Sequence, residues 1–548
     1  MSYDHQMIED HIVDFFSNLF NAPDSDVGDI TAIEAVIDHM VSDDQNLMLV
    51  RIPDEEEITA AVFDVDTNSA AGPDGFTGKF FHVCWQTIKV DIWKAARTFF
   101  TRSYLPNGCN SNTLIMIPKK EDVTSVTDLR PIILSNFFFK IISKILARRL
   151  NIVAENCSRG VRQGDLLSPI LFGIAEDVLS ALFHNCVSSD HLHPMRYNRR
   201  QSFPTHLLYV DDILVFCKAS VQNAKTLKKI LDFYSSISGQ QVSLAKSHVF
   251  YANKVDIRLQ RKINRQLGFA VGTMPFTYLG VPIFVGRTKA SYLRAIHDRI
   301  AAKFSRWKGL QLSMAGRLCL IKSVIQSSAT HYMLVYRWPR SLIHNLDKLC
   351  RNFLWSGDVN KRGSCPVNWE RVCSIKEEGG LGLKSFALMN KCYLMKMAWN
   401  IIRGKDFGYS LLKARYLDNF SHARPNVSSS IWLGIHDEIL SLVEDSYSFI
   451  GNGESTNFWK DDWIGYKLAN RCAVPFLLLE SLNFTVADYF YDGVWHFTQN
   501  FVNKFPEVVC DILLLPIGTD SDTRFWKNSV HGQVTSALAF ANNCHRFP

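Results

Sequence analysis

Two adjacent acids, Asp211 and Asp212, lie between two apolar runs in the segment HLLYVDDILVF, residues 206–216. Short apolar runs on both sides are typical of strands, and a pair of carboxylates is costly to bury because the charges repel each other. The segment therefore predicts an antiparallel hairpin of Leu207–Val210 and Ile213–Phe216 with both acids at its tip. Such a tip is either a solvated turn or a place where carboxylate oxygens bind Mg²⁺.

Composition limits the class of protein. With 548 residues, 47% of them hydrophobic, the chain is expected to form several folded domains. Its thirteen cysteines include no CxxC pair, which disfavours a zinc module and a disulfide framework. No uninterrupted apolar run reaches about 18 residues, and the acidic start MSYDHQMIED does not look like a secretory signal. We expect an intracellular protein, nuclear or cytoplasmic, with no membrane partner.

Positive charge is concentrated after the first 57 residues. Residues 1–57 carry fifteen acidic side chains and one basic side chain, whereas residues 58–548 carry 59 basic and 38 acidic ones, a balance of +21. An excess of this size suits a polyanionic partner, because phosphate contacts release counterions. A well-solvated basic surface gives the same count, so both interpretations stay open.

Two segments place basic residues on one side of a predicted helix. In FKIISKILARRL, Lys140, Lys144 and Arg148 recur every four residues, with isoleucines on the other side. Residues 287–322 contain nine Lys or Arg and a single acid. The apolar side of that second segment consists of Leu293, Ile296, Ile300, Phe304 and Trp307, flanked by Arg299, Lys303 and Arg306. The two stripes predict a track for nucleic-acid phosphates, although solvated charge is the usual meaning of either stripe alone.

Three further stretches carry turn or backbone signals. GPDG at 72–75 predicts a turn before an apolar helix. In SRGVRQGDLLSP, Gly160 and Gly164 free the backbone just before a helix, so Gln163 and bare amides could lie against a nucleotide. FTYLGVPI at 276–283 predicts a short strand pair with Gly280 at the bend.

In this order, the motifs resemble the reverse transcriptase of plant LINE-type (non-LTR) retrotransposons. The matching pieces are GPDGF, LRPI..SN...KIISKILARRL, RGVRQGD.LSP, HLLYVDD, SG..V.L.KS, YLGVP, SRWKGLQLSMAGRLCLIKSV, NFLWSG, GGLGLKS and, more weakly, FWKDDWIG. The resemblance implies an α+β, right-hand polymerase-like fold with fingers, palm and helical thumb. It also implies an RNA template, a DNA primer or duplex, and deoxynucleoside triphosphates as partners, with Mg²⁺ as cofactor.

The resemblance also implies roles for single residues. Asp211 becomes the principal Mg²⁺ ligand and catalytic acid, Asp212 the weaker one, and Tyr209 a neighbour of the nucleotide. Three other positions fall near the triphosphate or template: Arg130, Gln163 with Gly164, and Lys246. Residues 287–322 become the thumb that grips the duplex. The family most often has a small residue before the acid pair, where this chain has Val210.

One family element is missing from the sequence. Members of the family have an acidic strand, spelled like KAYDRVxW, between the basic helix and the QGD motif, and its carboxylate helps to hold two Mg²⁺ ions about 4 Å apart. Here residues 151–160 read NIVAENCSRG, with Glu155 as the only acid. Ten residues cannot hold a strand and the helix that returns the chain. We therefore expect an incomplete palm that binds at most one Mg²⁺, weakly.

Two function classes remain open. If the gap is an artefact of the gene model, the chain is an RNA-directed DNA polymerase; if it is real, the chain is a non-catalytic remnant that binds nucleic acid. The chain is expected to lack an endonuclease and a ribonuclease H domain. The tryptophans of the last segment favour core packing over base stacking. The expected domains are an acidic head at 1–57, fingers and palm at 58–285, a helical thumb and connection at 286–424, and a small aromatic-rich domain at 425–548.

Overall fold

The computed structural model of the chain describes residues 5–20, 41–120, 122–154, 167–196, 203–305, 309–418, 423–424, 427, 429–479 and 481–544. The chain divides into two units, Met1–Gly272 and Thr273–Pro548. The division falls shortly before residue 286, where the sequence predicts the thumb to begin.

The first unit begins with helices that pack around a long central helix. Its first elements are α1 (His5–Phe20), α2 (Asp43–Val50), α3 (Glu55–Asp64), α4 (Gly78–Val83), α5 (Trp85–Arg102), β1 (Asn112–Pro118), β2 (Leu129–Ser135) and α6 (Phe137–Ala154). β1 and β2 form an antiparallel hairpin. The core lies where Ile58 and Val62 of α3 meet Ile141 and Ile145 of α6. The predicted basic helix is thus confirmed as α6.

The GPDG turn packs against the start of α6. Gly75 closes the turn by donating its N–H to the carbonyl of Gly72 at 3.0 Å, and its positive φ of 75° suits glycine. A Cβ on Gly72 would lie 2.4 Å from the amide nitrogen of Asn136, so only glycine fits this approach. The Asn136 side chain accepts a hydrogen bond from the amide of Asp74 at 3.1 Å. The predicted turn is confirmed and is fastened to the residue that precedes α6.

The rest of the first unit surrounds a second core. Its elements are α7 (Ser168–Ser188), β3 (His206–Tyr209), β4 (Asp212–Val215), α8 (Val221–Ser238), β5 (His248–Val249), α9 (Ile257–Leu267) and β6 (Ala270–Val271). β5 and β6 pair in parallel. Leu179 and Phe183 of α7 pack against Leu227 and Ile230 of α8, with α9 and β3 also contributing to this core. α7 therefore connects the hairpin β3–β4 to the two helices that follow it.

Among the described residues, one helix is long and apolar enough by length and composition to cross a bilayer, namely α7. A search for uninterrupted apolar runs misses it, because Glu176 and Asp177 stand in its middle. The core helix of a soluble protein passes the same test. Leu179 and Phe183 are fully buried within the first unit.

The second unit is mainly helical. It contains β7 (Phe276–Tyr278), β8 (Val281–Ile283), α10 (Ala290–Ser305), α11 (Met314–Leu320), a π-helical segment (Ile321–Gln326), α12 (Ser327–Met333), α13 (Arg340–Ser356), α14 (Trp369–Val372), α15 (Phe386–Arg403) and α16 (Phe407–Tyr416). β7 and β8 form the predicted strand pair, and Leu279 and Gly280 both have positive φ in its turn. The predicted apolar stripe of α10 is confirmed by the burial of Leu293, Ile296, Ile300 and Phe304. Trp307, the last member of that stripe, lies outside the described residues.

The C-terminal part adds α17 (Trp432–Glu444), β9 (Ser446–Phe449), α18 (Leu468–Arg471), α19 (Phe476–Leu479), β10 (Phe490–Tyr491), β11 (Val494–Trp495), α20 (Gln499–Lys504), α21 (Pro506–Leu513), β12 (Thr523–Trp526) and α22 (Ser536–Cys544). Trp432 and Trp526 share a core with Trp399 of α15, so the boundary expected between 424 and 425 runs through that core. Trp463 is buried in a separate aromatic core, against which Trp459 and Trp495 pack. Core packing of these tryptophans is confirmed.

The architecture combines helices with small hairpins, which confirms the α+β class. Every sheet in the described part of the chain has two strands. All of the pairs are antiparallel except β5–β6. The assignment of fingers, palm and thumb stays a prediction.

Candidate active site

The predicted antiparallel hairpin is confirmed, but its turn begins one residue earlier than predicted, so that only Asp211 of the two acids lies in the turn. β3 and β4 pair antiparallel, with Tyr209 opposite Asp212 and Leu207 opposite Leu214. Val210 and Asp211 are therefore the two turn residues, and Asp212 begins the return strand. Both carboxylates are exposed to solvent, which spares them the cost of burial as a like-charged pair.

Val210 has an unusual backbone conformation in this turn. Its φ is +53°, in the left-handed region that β-branched residues rarely adopt. A side chain in this conformation costs about 1 to 3 kcal/mol, and a smaller residue would crowd the following carbonyl less. The positive φ thus explains why the family favours a small residue before the acid pair. In this chain the backbone of Val210 is strained.

The donor set of the hairpin does not fit a pair of metal ions. Asp211 and Asp212 supply carboxylates from one turn, and two ions need bridging carboxylates from a second strand. In the described ranges, no group of three or more His, Cys, Asp or Glu side chains is placed to hold a metal ion. One Mg²⁺ can be held by one or two carboxylates together with substrate phosphates, which is the most that this donor set can support.

Sequence reasoning missed Glu176, a carboxyl group of α7 close to the hairpin. Its residue is only 8% exposed. Burial, and then the charges of Asp177 and Asp211, raise its pKa to about 7. The signal in the sequence was an acid in the middle of an apolar helix, since buried acids with shifted pKa values cluster at functional sites. About half of the Glu176 carboxyl groups are thus protonated near neutral pH, close to the turn that carries Asp211.

We expect replacement of Glu176 by glutamine to stabilise the protein in a pH-dependent manner. The pKa of Glu176 is about 7 in the folded protein and 4.5 in the unfolded chain. Such a carboxyl group does not affect the free energy of unfolding below pH 4.5, and it lowers that free energy by its full amount above pH 7. At about 1.36 kcal/mol per pKa unit, the variant should be more stable than the parent by about 3 kcal/mol at pH 8 and nearly equal to it at pH 4. Urea titrations at both pH values measure this difference.

The companion variant Asp211→Asn tests the proximity of the two acids. Removing the charge of Asp211 should lower the pKa of Glu176, and the pH at which the stability difference develops should fall with it. If Glu176→Gln raises the free energy of unfolding by the same amount at pH 4 and pH 8, Glu176 is not partly protonated in the folded protein near neutral pH.

Polar side chains of α7 also contact the base of the hairpin. The hydroxyl of Ser180 lies 2.9 Å from Nε2 of His206, whose ring stacks on Phe183 with centroids 4.9 Å apart. Burial and the nearby His184 lower the pKa of His206 to about 4, so its ring is neutral at pH 7. Glu176, Ser180 and His184 follow one another at intervals of four residues, so one face of α7 supports the hairpin.

The residues predicted to lie near the nucleotide are not all brought together. Tyr209 is 53% exposed and stands next to the acid pair on the same hairpin. Arg130 is exposed on β2, opposite Ile117, and Lys246 is exposed after α8. In the described part of the chain, no hydrogen bond or ion pair joins either cation to the acid pair. Gln163 and Gly164 lie outside the described residues.

The basic side chains of the predicted phosphate track on α6 contact other groups of the protein. Asp64 of α3 accepts ion pairs from Lys144 at 2.5 Å and from Arg148 at 3.1 Å, and the hydrogen bond from Lys144 is the main cause of its lowered pKa. The ammonium group of Lys140 donates to the carbonyl of Ala70 at 2.7 Å, and burial lowers its pKa. These contacts compete with any phosphate for the same cations.

The second predicted stripe is less engaged. On α10, Arg299 is exposed, and its Nε donates to the carbonyl of Ala295 at 3.4 Å, within its own helix. Lys303 is half-buried. Arg306 lies outside the described residues, so the stripe is described only in part.

Comparison with known proteins bears on the same region. A sequence profile of the family described as reverse transcriptase (RNA-dependent DNA polymerase) matches residues 151–283, which include the hairpin and end with β8. An uncharacterized mitochondrial protein of Arabidopsis thaliana is 31% identical over 137 residues, 24% of this chain and 89% of that protein. The chain belongs to the reverse transcriptase family.

Two longer relatives are matched over part of their length, and one of them is named as a transposon protein. A protein of Arabidopsis thaliana, provisionally named as a ribonuclease H protein, is 32% identical over 194 residues, 34% of this chain. The uncharacterized 149 kDa protein of transposon TX1 of Xenopus laevis is 30% identical over 155 residues, 28% of this chain. The matches span 31% and 12% of these two relatives. The names support a reverse transcriptase family protein from a retroelement.

Proposed function

We propose that this reverse transcriptase family protein comes from a plant LINE-type retroelement, and that it binds a primed RNA template but does not extend the primer. The observation that carries the proposal is the short connection between α6 and α7. α6 continues through Ala154 and α7 begins at Ser168, so residues 155–167 are all that joins them. Seven of these thirteen residues, 159–165, are the RGVRQGD motif.

The length of this connection argues against a second acidic strand before α7. A strand and the crossover that returns the chain need a dozen or more residues in addition to the motif. Without that strand, the carboxylates of Asp211 and Asp212 have no partner across the sheet to bridge a second Mg²⁺. The charge that develops on the attacking hydroxyl then loses a stabilisation of several kcal/mol, at about tenfold in rate per 1.36 kcal/mol.

We expect the purified chain to show no templated extension of a DNA primer on RNA, with Mg²⁺ or with Mn²⁺. The assay supplies all four deoxynucleoside triphosphates and is read on a denaturing gel. A known active reverse transcriptase on the same primed RNA shows that the substrate is competent. Binding of the primed RNA should be retained, insensitive to sequence, and weaker as salt rises.

The double variant Asp211→Asn, Asp212→Asn is the matched control, because it keeps the size of both side chains and removes their charge. Extension by the parent chain that this variant abolishes would show that the acid pair forms a complete site. Binding that does not change with salt would remove the phosphate contacts from the proposal.

The second candidate function is a complete RNA-directed DNA polymerase, and the intact hairpin favours it. In that case the missing strand is a loss in the gene model. Sequencing the transcript across the codons for Leu150 to Gly160 separates the two candidates, because an in-frame acidic strand there would restore the enzyme. Either candidate acts inside the cell, where its nucleic-acid partners are found.

A further inference from the structure

The helix α9 of the first unit carries a cationic face. The helix reads IRLQRKINRQL and contains no acid. At about 100° per residue, its four cations fall within about 100° of one another on the helical wheel. These four, called here the α9 cations, are Arg258, Arg261, Lys262 and Arg265, and all are exposed.

The opposite face of α9 is fixed in the protein core. Ile263 and Leu267 are buried, and Leu259 packs against the same cluster. Tyr251 also fastens the helix, since its hydroxyl donates to the side chain of Asn264. The α9 cations are therefore presented on a rigid support.

The acid next to α9 in the sequence, Asp256, caps the helix by accepting from the amides of Arg258 and Leu259. Within the described residues none of the four forms an ion pair, unlike Lys144 and Arg148 of α6, which share Asp64. Each of the four has two like-charged neighbours three or four residues away, an arrangement that destabilises a helix. A local conflict of this kind is expected where an external anion relieves it.

The dimensions and chemistry of this face suit a phosphate backbone. Arg258 and Arg265 are separated by about 10 Å along the helix axis, a length over which a duplex presents about six phosphates. Three of the four side chains are arginines, whose planar guanidinium groups bind phosphate oxygens in pairs. The neighbouring Lys254 is exposed as well.

We propose that the α9 cations bind the phosphate backbone of the nucleic acid, whereas Lys144 and Arg148 of α6 are paired within the protein. The inference rests on the proposed function for the kind of ligand and adds the surface that holds it. An anionic membrane is a poorer fit, because the apolar side of α9 is buried in the core and cannot enter a bilayer.

The test is salt-dependent binding of a labelled RNA–DNA duplex by the full chain, measured as fluorescence anisotropy. The variant carries Arg258→Gln, Arg261→Gln, Lys262→Gln and Arg265→Gln, and glutamine keeps the helix propensity. The control loses the same charge at four other exposed cations of the first unit, through Lys79→Gln, Lys94→Gln, Arg97→Gln and Arg102→Gln. Circular dichroism and thermal unfolding confirm that both variants fold like the parent.

We expect the α9 variant to bind at least about tenfold more weakly at low salt, and its plot of log affinity against log salt to lose about 3 to 4 units of slope, at about 0.9 per phosphate contact. The control should lose much less of both. Equal losses in the two variants, or an unchanged slope in the α9 variant, would overturn the inference while the parent still binds. A parent that does not bind the duplex would instead overturn the proposed function.

Two further measurements test whether the α9 cations prefer the duplex to a membrane, and whether a single substitution has the expected effect. Vesicles of phosphatidylserine and phosphatidylcholine replace the duplex in the same titration. Vesicle binding that depends on the α9 cations, without duplex binding, would assign the face to a membrane and overturn the inference. If the four-residue variant unfolds, the single variant Arg261→Gln should still lower the slope by about 1, and a folded single variant with the parent slope counts against the inference.

Discussion

Replacing Arg149 by methionine should lower the free energy of unfolding of the first unit by about 3 kcal/mol, because it leaves the half-buried carboxylate of Glu57 without its main partner. The Arg149 side chain is 3% exposed. Its Nε and Nη2 atoms donate to the two oxygens of Glu57 at 2.7 and 2.8 Å. This bidentate pair is the main cause of the lowered pKa of Glu57. Urea titration of the full chain followed by circular dichroism measures the loss.

Arg149 also fastens the segment that precedes α3. Its Nη1 donates to the carbonyl of Leu49 at 3.1 Å and to the carbonyl of Arg51, and its guanidinium group lies over the ring of Phe100. Methionine fills a similar volume but donates no hydrogen bond to these acceptors, which further lowers the free energy of unfolding. After the substitution, Glu57 keeps only the exposed Arg51, at 3.2 Å.

The adjacent Arg148→Met variant is the matched control. Arg148 is more exposed and pairs with Asp64, which also keeps Lys144, so its loss should cost less than about 1 kcal/mol. The double variant Arg149→Met, Glu57→Leu should recover much of the loss, since an apolar pair leaves no buried charge. Similar losses from Arg148→Met and Arg149→Met would show that burial of the Glu57 pair does not govern stability here.

Local features of the fold were predictable from the sequence. The hairpin of Asp211 and Asp212 follows from two short apolar runs around a polar pair, and the β7–β8 turn follows from Gly280. The buried stripe of α10 follows from the 3.6-residue period. In each case the residues that decide the structure lie within a few positions of one another, so no knowledge of distant contacts is needed.

Contacts between distant parts of the chain were not predictable. Asp64 neutralises part of the α6 stripe from about 80 residues away, and no local pattern in FKIISKILARRL announces it. Trp399 and Trp526 share one core although 127 residues separate them, which is why the C-terminal boundary runs through a packed region. Tertiary pairing of this kind depends on how the helices are arranged, and periodicity alone does not give that arrangement.

Other features were present in the sequence but had no motif to draw attention to them. The α9 cations have the helical spacing of a charged face, yet IRLQRKINRQL belongs to none of the matching pieces. Glu176 stands out only as an acid in an apolar helix, a pattern that usually marks a partly exposed face. Its proximity to Asp211, whose charge contributes to its raised pKa, depends on the packing of α7 against the hairpin.

Replacing Asp522 by alanine should lower the free energy of unfolding of the second unit by about 3 kcal/mol, because one carboxylate organises an entire loop. Its Oδ1 accepts the amide hydrogens of Gly451 and Gly453, both at 2.8 Å. Its Oδ2 accepts from the amide of Ser455 and from the hydroxyls of Ser455 and Thr456 at 2.9 to 3.1 Å. The loop reads GNGEST, and the carboxylate of its own acid, Glu454, accepts from the side chain of Asn452 at 2.9 Å.

Amide hydrogen exchange gives the sharpest test of this prediction, because it reports on the three backbone amides that donate hydrogen bonds to Asp522. In Asp522→Ala, the amides of Gly451, Gly453 and Ser455 should exchange much faster, whereas Asp522→Asn should have a smaller effect, since its amide oxygen can still accept. Asp520→Ala is the matched control: Asp520 holds the loop through its carbonyl, which accepts from the amide of Asn452 at 2.6 Å, and alanine keeps that carbonyl. A loss of stability in Asp520→Ala equal to that in Asp522→Ala would mean that removal of either carboxylate weakens this region, and that the hydrogen bonds of Asp522 do not specifically order the loop.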